Sequence, residues 1–258
     1  MVVTKVSPNH PSKMADRIAG AILDRAYELK KNPRVGCDVK IEDSKCWVIL
    51  ESSVMIDESV IRNIVMRIAN IGDVDYHFTL VDGYKDSACS ESVSICARIE
   101  GDDDRRVVSV CNDVYNSVEG CVYCEFEHPN MEVFVDKEFS EDDIKFCVRH
   151  NDIHIHFNQV PRVKGGISNT CLSSDMGIDN DLLHGRDINN PFVALSIYAQ
   201  LIADKKGGEI ALKCEKGDTI VNGVKYRTIV NKAKAYITKI GGFEKLAEWG
   251  TYRPLVRE

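Results

Sequence analysis

The segment Asn9-His10-Pro11-Ser12-Lys13 sets an imidazole and an ammonium three residues apart, at the N-terminal edge of a helix predicted over 14–30. Backbone N–H groups and the helix dipole favour an anion there, so the pair could cradle a phosphate or polyphosphate. The same residues also make an ordinary polar helix entry. A second constellation is Cys121-x2-Cys124 followed by Cys147-x2-His150, with 22 residues between the pairs. Two such pairs resemble a structural zinc site. Against zinc, Cys121 and Cys124 lie in strand-like alternation, where i and i+3 face opposite sides. Buried thiols explain them better. Glu100–Arg106, with three consecutive aspartates, reads as a solvated hairpin turn rather than a metal loop. Lys232, Lys234, Lys239 and Lys245 interleave with Glu244 and Glu248 and read as the solvated face of a helix.

The elements that must position these residues follow from periodicity. In the 14–30 helix, Ile18, Ala21, Ile22, Ala26 and Leu29 form one apolar stripe, and Asn32-Pro33 stops it. Strands are predicted at 34–41 and 45–51. A helix at 58–71, capped by Asp57, ends at Gly72-Asp73. Further strands are expected at 75–81, 91–99, 106–112, 119–126, 131–135 and 152–160, with a short helix at 141–149. Pro191 opens a helix to about 204. A hairpin is expected from 208–215 and 219–226, turned by Lys216-Gly217-Asp218. The last helix runs from about Thr228 to Trp249, broken at Gly241-Gly242. Paired strands interrupted by single helices predict an α+β fold with mixed or antiparallel sheets. Residues 161–189 are different: four glycines, several Ser, Asn and Asp, and few apolar anchors make a long loop of the kind that usually carries function.

The 258 residues carry 44% hydrophobic and 28% charged side chains, as globular chains do. A net charge of −7 argues against bulk affinity for nucleic acid or an anionic membrane. The longest apolar runs are far short of a membrane span. The N-terminal residues show no secretory pattern, so the ten cysteines are read as free thiols in a reducing cytoplasm.

Val6-Ser7-Pro8-Asn9-His10-Pro11-Ser12-Lys13-Met14-Ala15-Asp16-Arg17-Ile18 resembles the opening of the S-adenosylmethionine synthetase (methionine adenosyltransferase) family, S-E-G-H-P-D-K-I-A-D-Q-I. The resemblance runs without a gap through Ala21-Ile22-Leu23-Asp24 to Arg34-Val35-Gly36-Cys37-Asp38, similar to the family's R-V-A-C-E, and on to Glu51. Leu182-Leu183-His184-Gly185-Arg186-Asp187 resembles the family's A-F-S-G-K-D, Asn190 matches its archaeal form, and Glu248–Pro254 is similar to the closing A-Y-G-H-F-G-R. Ser12 stands where the family has an aspartate, and the family's G-A-G-D-Q-G loop and basic G-R-K have no counterpart.

The resemblance implies lobes of small mixed or antiparallel sheets with helices on one face, in a pseudo-threefold arrangement. The chain would be one intertwined unit with lobes near 1–100, 101–165 and 190–258 and a glycine-rich active-site loop at 161–189. It implies formation of S-adenosylmethionine from ATP and L-methionine, with triphosphate cleaved to phosphate and pyrophosphate. His10, Lys13 and Arg186 would be catalytic. His10, Pro11, Lys13, Asp175, Arg186 and Asp187 would bind ATP, Glu51 would bind methionine, and Asp38 and Asp175 would hold metal. Mg²⁺ and K⁺ are the implied ions. A homodimer would form the active site between subunits, with a tetramer also allowed, and 161–189 would close as a lid over the triphosphate. The alternatives are a non-catalytic nucleotide-binding or regulatory member of the family and, further off, a zinc-containing binding module.

Overall fold

The structure is a computed structural model, and it describes residues 3–84, 88–97, 102–118, 120–137, 153–169, 184–206 and 208–249. The fold is α+β. Strand β1 (Val3–Val6) leads into helix α1 (Pro11–Leu29), then β2 (Val35–Glu42), β3 (Lys45–Ser52), α2 (Glu58–Ala69) and β4 (Asp73–Leu80). Strand β5 (Val93–Ala97) leads into α3 (Asp102–Val118), then β6 (Val122–Glu127), β7 (Asn130–Val135) and β8 (His154–Gln159). Strand β9 (Gly165–Ile167) precedes α4 (Pro191–Lys206), β10 (Ile210–Cys214), the short pair β11 (Ile220–Val221) and β12 (Val224–Lys225), α5 (Tyr226–Ile240) and α6 (Phe243–Trp249).

The first two units repeat one pattern. Within each, the first two strands pair antiparallel and the second and third pair parallel: β2/β3 and β3/β4, then β6/β7 and β7/β8. No residue-level repeat announces this. The leading strand of each unit is given away in a cycle. β1 joins β6 of the second unit, β5 joins β10 of the third, and β9 joins β2 of the first, all antiparallel.

Alternation sets the faces. In β2, Val35, Cys37, Val39 and Ile41 are buried, while Asp38, Lys40 and Glu42 point out. The inner row packs with Ile18, Ile22 and Leu23 of α1, and the same apolar core takes in α4 and α5. A second core joins α3 to β6 and β7 through Val107, Val110, Cys111, Val114, Val122, Phe126 and Val133. The outer face of β2–β3 carries Trp47 and Ile49, and Ile167 of β9 lies opposite Lys40; Ile49 is 53% and Ile167 48% exposed.

Four expectations are corrected. Residues 106–112 are helix, not strand: Val107, Val110, Cys111 and Val114 fall at helical spacing, and burying that stripe against β6 overrides the strand propensity of valine. The expected turn at 100–106 therefore contains the start of α3 at Asp102. β10 pairs with β5 rather than with the 219–226 run, which folds back on itself at Asn222-Gly223, both with positive φ. Asp57 stands at the α2 N-cap without a side-chain cap bond, and α2 ends earlier than Gly72, at left-handed Asn70. The expected helix at 141–149 lies outside the described residues. No helix among the described residues is long and apolar enough to cross a membrane.

Candidate functional site

The edge of β2 builds the candidate site. Its lower half, Lys40–Glu42, takes β9 as a partner. Its upper half takes the segment 184–187: the Cys37 N–H donates to the Gly185 carbonyl (2.7 Å) and the Asp187 N–H to the Val35 carbonyl (3.2 Å). Between them, Ser168 exchanges hydrogen bonds with Val39: its N–H donates to the Val39 carbonyl, and its Oγ accepts from the Val39 N–H. Gly185 has φ of 72°, and a Cβ there would lie 2.0 Å from the Cys37 carbonyl oxygen, so only glycine fits. Asn169 ties the two stems: its Oδ1 accepts from the His184 N–H and its Nδ2 donates to the His184 carbonyl, both at 2.9 Å. The expected free loop of 161–189 is thus a strand and two anchored stems at its described ends. Asp175 lies outside the described residues.

This edge aims Arg186 across Gly36, to which it is bridged, while Glu51 faces Gly36 from β3. Arg186, Asp38 and Glu51 meet in a cleft of about 440 Å³. Arg186 Nη2 donates to both oxygens of Asp38 (3.0 and 3.2 Å), and Nη1 donates to the Cys37 carbonyl (3.2 Å). Arg34, Tyr84, Ser90 and Glu91 complete the lining, and the Arg34 guanidinium sits 5.8 Å from the centre of the Tyr84 ring. Arg34 opens the Arg34-Val35-Gly36-Cys37-Asp38 motif, which was the available signal for it. Ser90 and Glu91 end Asp86-Ser87-Ala88-Cys89-Ser90-Glu91, one of two stretches comparable with the family's D-A-K-S-Q-V, and Tyr84 carried no signal.

Asp187 is beneath this cleft, 1% exposed. Its Oδ2 accepts from the Val35 N–H and the Tyr84 hydroxyl (2.9 Å each), and its Oδ1 from the Asn189 N–H (2.9 Å) and Asn189 Nδ2 (3.2 Å). Burial raises its pKa, opposed by these donors. As folded, Asp187 braces the site floor. Asn190 caps α4, its Oδ1 accepting from the Phe192 N–H at 2.9 Å.

His10, Pro11 and Lys13 are elsewhere. His10 is the N-cap of α1, its Nδ1 accepting from the Ser12 N–H at 3.3 Å, and Pro11 is the first helical residue. His10 is 6% and Lys13 3% exposed. β9 covers this helix start: a Cβ on Gly166 would fall 2.1 Å from the Ser12 nitrogen. Burial pushes the His10 pKa down to about 4, helped by Lys13 and opposed by Asp136, so the ring is neutral at pH 7. The imidazole–ammonium pair therefore does not line the Arg186 cleft.

As folded, the donors do not fit a resident Mg²⁺ or K⁺. Both Asp38 oxygens face Arg186, and among the described residues no group of three His, Cys, Asp or Glu is placed to hold a metal ion. Cys121 and Cys124, expected as buried thiols rather than zinc ligands, are buried and free, with Cys124 in the second core; Cys147 and His150 lie outside the described residues.

No protein-family model matches the chain. Among solved structures, the fold is shared with a protein described as an unusual S-adenosylmethionine synthetase from Campylobacter jejuni. The TM-score is 0.75 over 97% of this chain and 93% of that one, at 12% sequence identity.

Proposed function

We propose that the chain is a methionine adenosyltransferase, joining L-methionine to the adenosyl group of ATP and releasing triphosphate that is then cleaved to phosphate and pyrophosphate. The observation that carries this reading is the meeting of Arg186, Asp38 and Glu51 around Gly36. All three stand at positions quoted for the sequence resemblance, on a fold shared with the Campylobacter protein. Fold by itself does not assign chemistry, so the weight falls on those side chains.

A thioether sulfur is nucleophilic without losing a proton, so no general base is required. The barrier at C5′ falls through orientation of the reactants and stabilisation of charge growing on the leaving triphosphate. In this reading the Arg186 guanidinium, a planar fork, leaves Asp38 to take phosphate oxygens. Arg34 adds a second cation, and Glu51 takes the methionine ammonium. His10, Pro11 and Lys13 join as ATP contacts only if β9 lifts from the start of α1. Mg²⁺ and K⁺ would enter this reading with the ATP phosphates rather than on Asp38, both of whose oxygens face Arg186. A second copy of the chain would lie on the outer face bearing Trp47, Ile49 and Ile167, at the end of which Glu51 stands.

The test is incubation with ATP, methionine, Mg²⁺ and K⁺ and assay for S-adenosylmethionine, phosphate and pyrophosphate. A second reading, a non-catalytic nucleotide-binding or regulatory member, is favoured by the burial of His10 and Lys13 and the commitment of Arg186 to Asp38. ATP binding with no product would establish that reading and sink the first.

A further inference from the structure

A second cleft of about 580 Å³ lies on the other side of Tyr84, between the turn after α1 and the first half of α5. Its cations are Lys31, Arg227 and Lys234, its amides Asn32, Asn189 and Asn231, and among the described residues no carboxylate lines it. That is unusual on a chain with 40 acidic and 33 basic side chains. Arg227, Asn231 and Lys234 stand at i, i+4 and i+7 and share one helix face. Lys234 is fixed: its Nζ donates to the Lys31 carbonyl (3.1 Å) and Asn32 Oδ1 (3.3 Å) and sits 5.4 Å from the centre of the Tyr27 ring.

The solvated-face expectation holds for Lys232, Lys239 and Lys245, which are exposed, while Lys234 is half-buried at the cleft. Glu244 pairs with Arg67 and Arg17, and Glu248 pairs with Lys245, so neither carboxylate reaches Lys234. Among the described residues, Lys31, Arg227 and Lys234 make no ion pair with a carboxylate. One arginine, two lysines and three asparagines line a space of small-ligand size. One carboxylate or sulfate would satisfy only part of this set. The volume holds a single compact ligand, and the overall negative charge disfavours a nucleic-acid strand.

We propose that this cleft is a binding site for a compact polyphosphate group, carried by inorganic tripolyphosphate or by a nucleotide. It is separate from the Arg186 cleft and stands whether or not the chain makes S-adenosylmethionine.

The test is calorimetric titration with sodium tripolyphosphate, without divalent cations and at low salt. The proteins are the wild type, Lys31→Glu/Arg227→Glu, Asn231→Glu and Lys239→Glu, the last an exposed position on the same helix outside the cleft lining. Both cleft variants should weaken binding by at least about tenfold, and Lys239→Glu should change it by less than about twofold. Asn231 is an exposed helix position, so that variant keeps the test alive if the double variant does not fold. A parallel titration with ATP separates the sources. Tighter binding of ATP than of tripolyphosphate, lost in the same variants, makes the ligand a nucleotide; equal binding makes the phosphate chain the recognised group. Wild-type affinity in Asn231→Glu, no tripolyphosphate binding by the wild type, or equally tight binding of sulfate at matched ionic strength overturns the proposal.

Discussion

At the scale of single residues, the Arg186–Asp38 pair decides how the cleft behaves. If Arg186 supplies leaving-group stabilisation, Arg186→Ala should cost on the order of 3 kcal/mol in kcat, as loss of one transition-state donor does. Arg186→Lys should recover much of the rate, and the KM for methionine should barely move. Asp38 competes with the triphosphate for the same guanidinium. A partly exposed ion pair is worth up to about 1 kcal/mol, so Asp38→Asn should lower the KM for ATP by about fivefold. A rise instead would make the carboxylate a direct substrate or metal contact. His10 offers a separate readout. Its folded pKa of about 4 lies below the usual 6.5, so the unfolded chain binds the proton more readily. The stability it contributes is complete above pH 6.5 and is lost as pH falls toward 4, by up to about 3 kcal/mol. Urea midpoints across that range should flatten in His10→Gln. The residues around Gly36 were legible because local motifs carry them. The burial of His10 was not, because β9, which covers it, lies far along the chain and its glycines give no sign of what they pack against.

At the scale of elements, close approaches fix the helices. A Cβ on Gly20 of α1 would lie 2.7 Å from the backbone of Phe243, where α6 begins. Asp24, one turn on, accepts from the Phe243 and Glu244 N–H groups (2.8 and 3.0 Å) and so caps α6 from outside it. Asp24→Ala should lose about 1–2 kcal/mol, and Gly20→Ala about 1–3 kcal/mol through overpacking, both read by urea unfolding. Periodicity gave β2 and β3 to within a residue, because each buries one alternate row, whereas α1 begins three residues earlier than expected, at Pro11, and α4, buried on nearly every side, was announced by Pro191 rather than by a stripe. It failed for α3, where valines spaced for a helix also suit a strand, and the packing of β6 decides. It failed for β1 and β10, whose partners are set by strand exchange between distant units and not by neighbours in sequence.

For the whole molecule, the outer face of β2, β3 and β9 is the surface to test for self-association. Ile49 is half exposed beside Trp47, which carries Lys40 and Lys45 about its ring at 5.0 and 5.1 Å. If two copies meet there, Ile49→Glu should turn a dimer into a monomer in sedimentation velocity while leaving the circular dichroism unchanged. An unchanged wild-type monomer would remove the interfacial active site from the proposed function.

The cyclic gift of leading strands also governs how the chain can reach this structure. Val3 must find Phe126, Val93 must find Cys214, and Gly165 must find Glu42. Each contact closes a long loop before any sheet is complete, which is the condition for slow folding. The ring also transfers damage away from where it is made. Deleting the first six residues leaves α1, β2 and β3 with their own partners but strips the edge of β6. Amide hydrogen exchange should therefore quicken first in β6 and β7, more than a hundred residues from the cut, while β2 and β3 keep their protection.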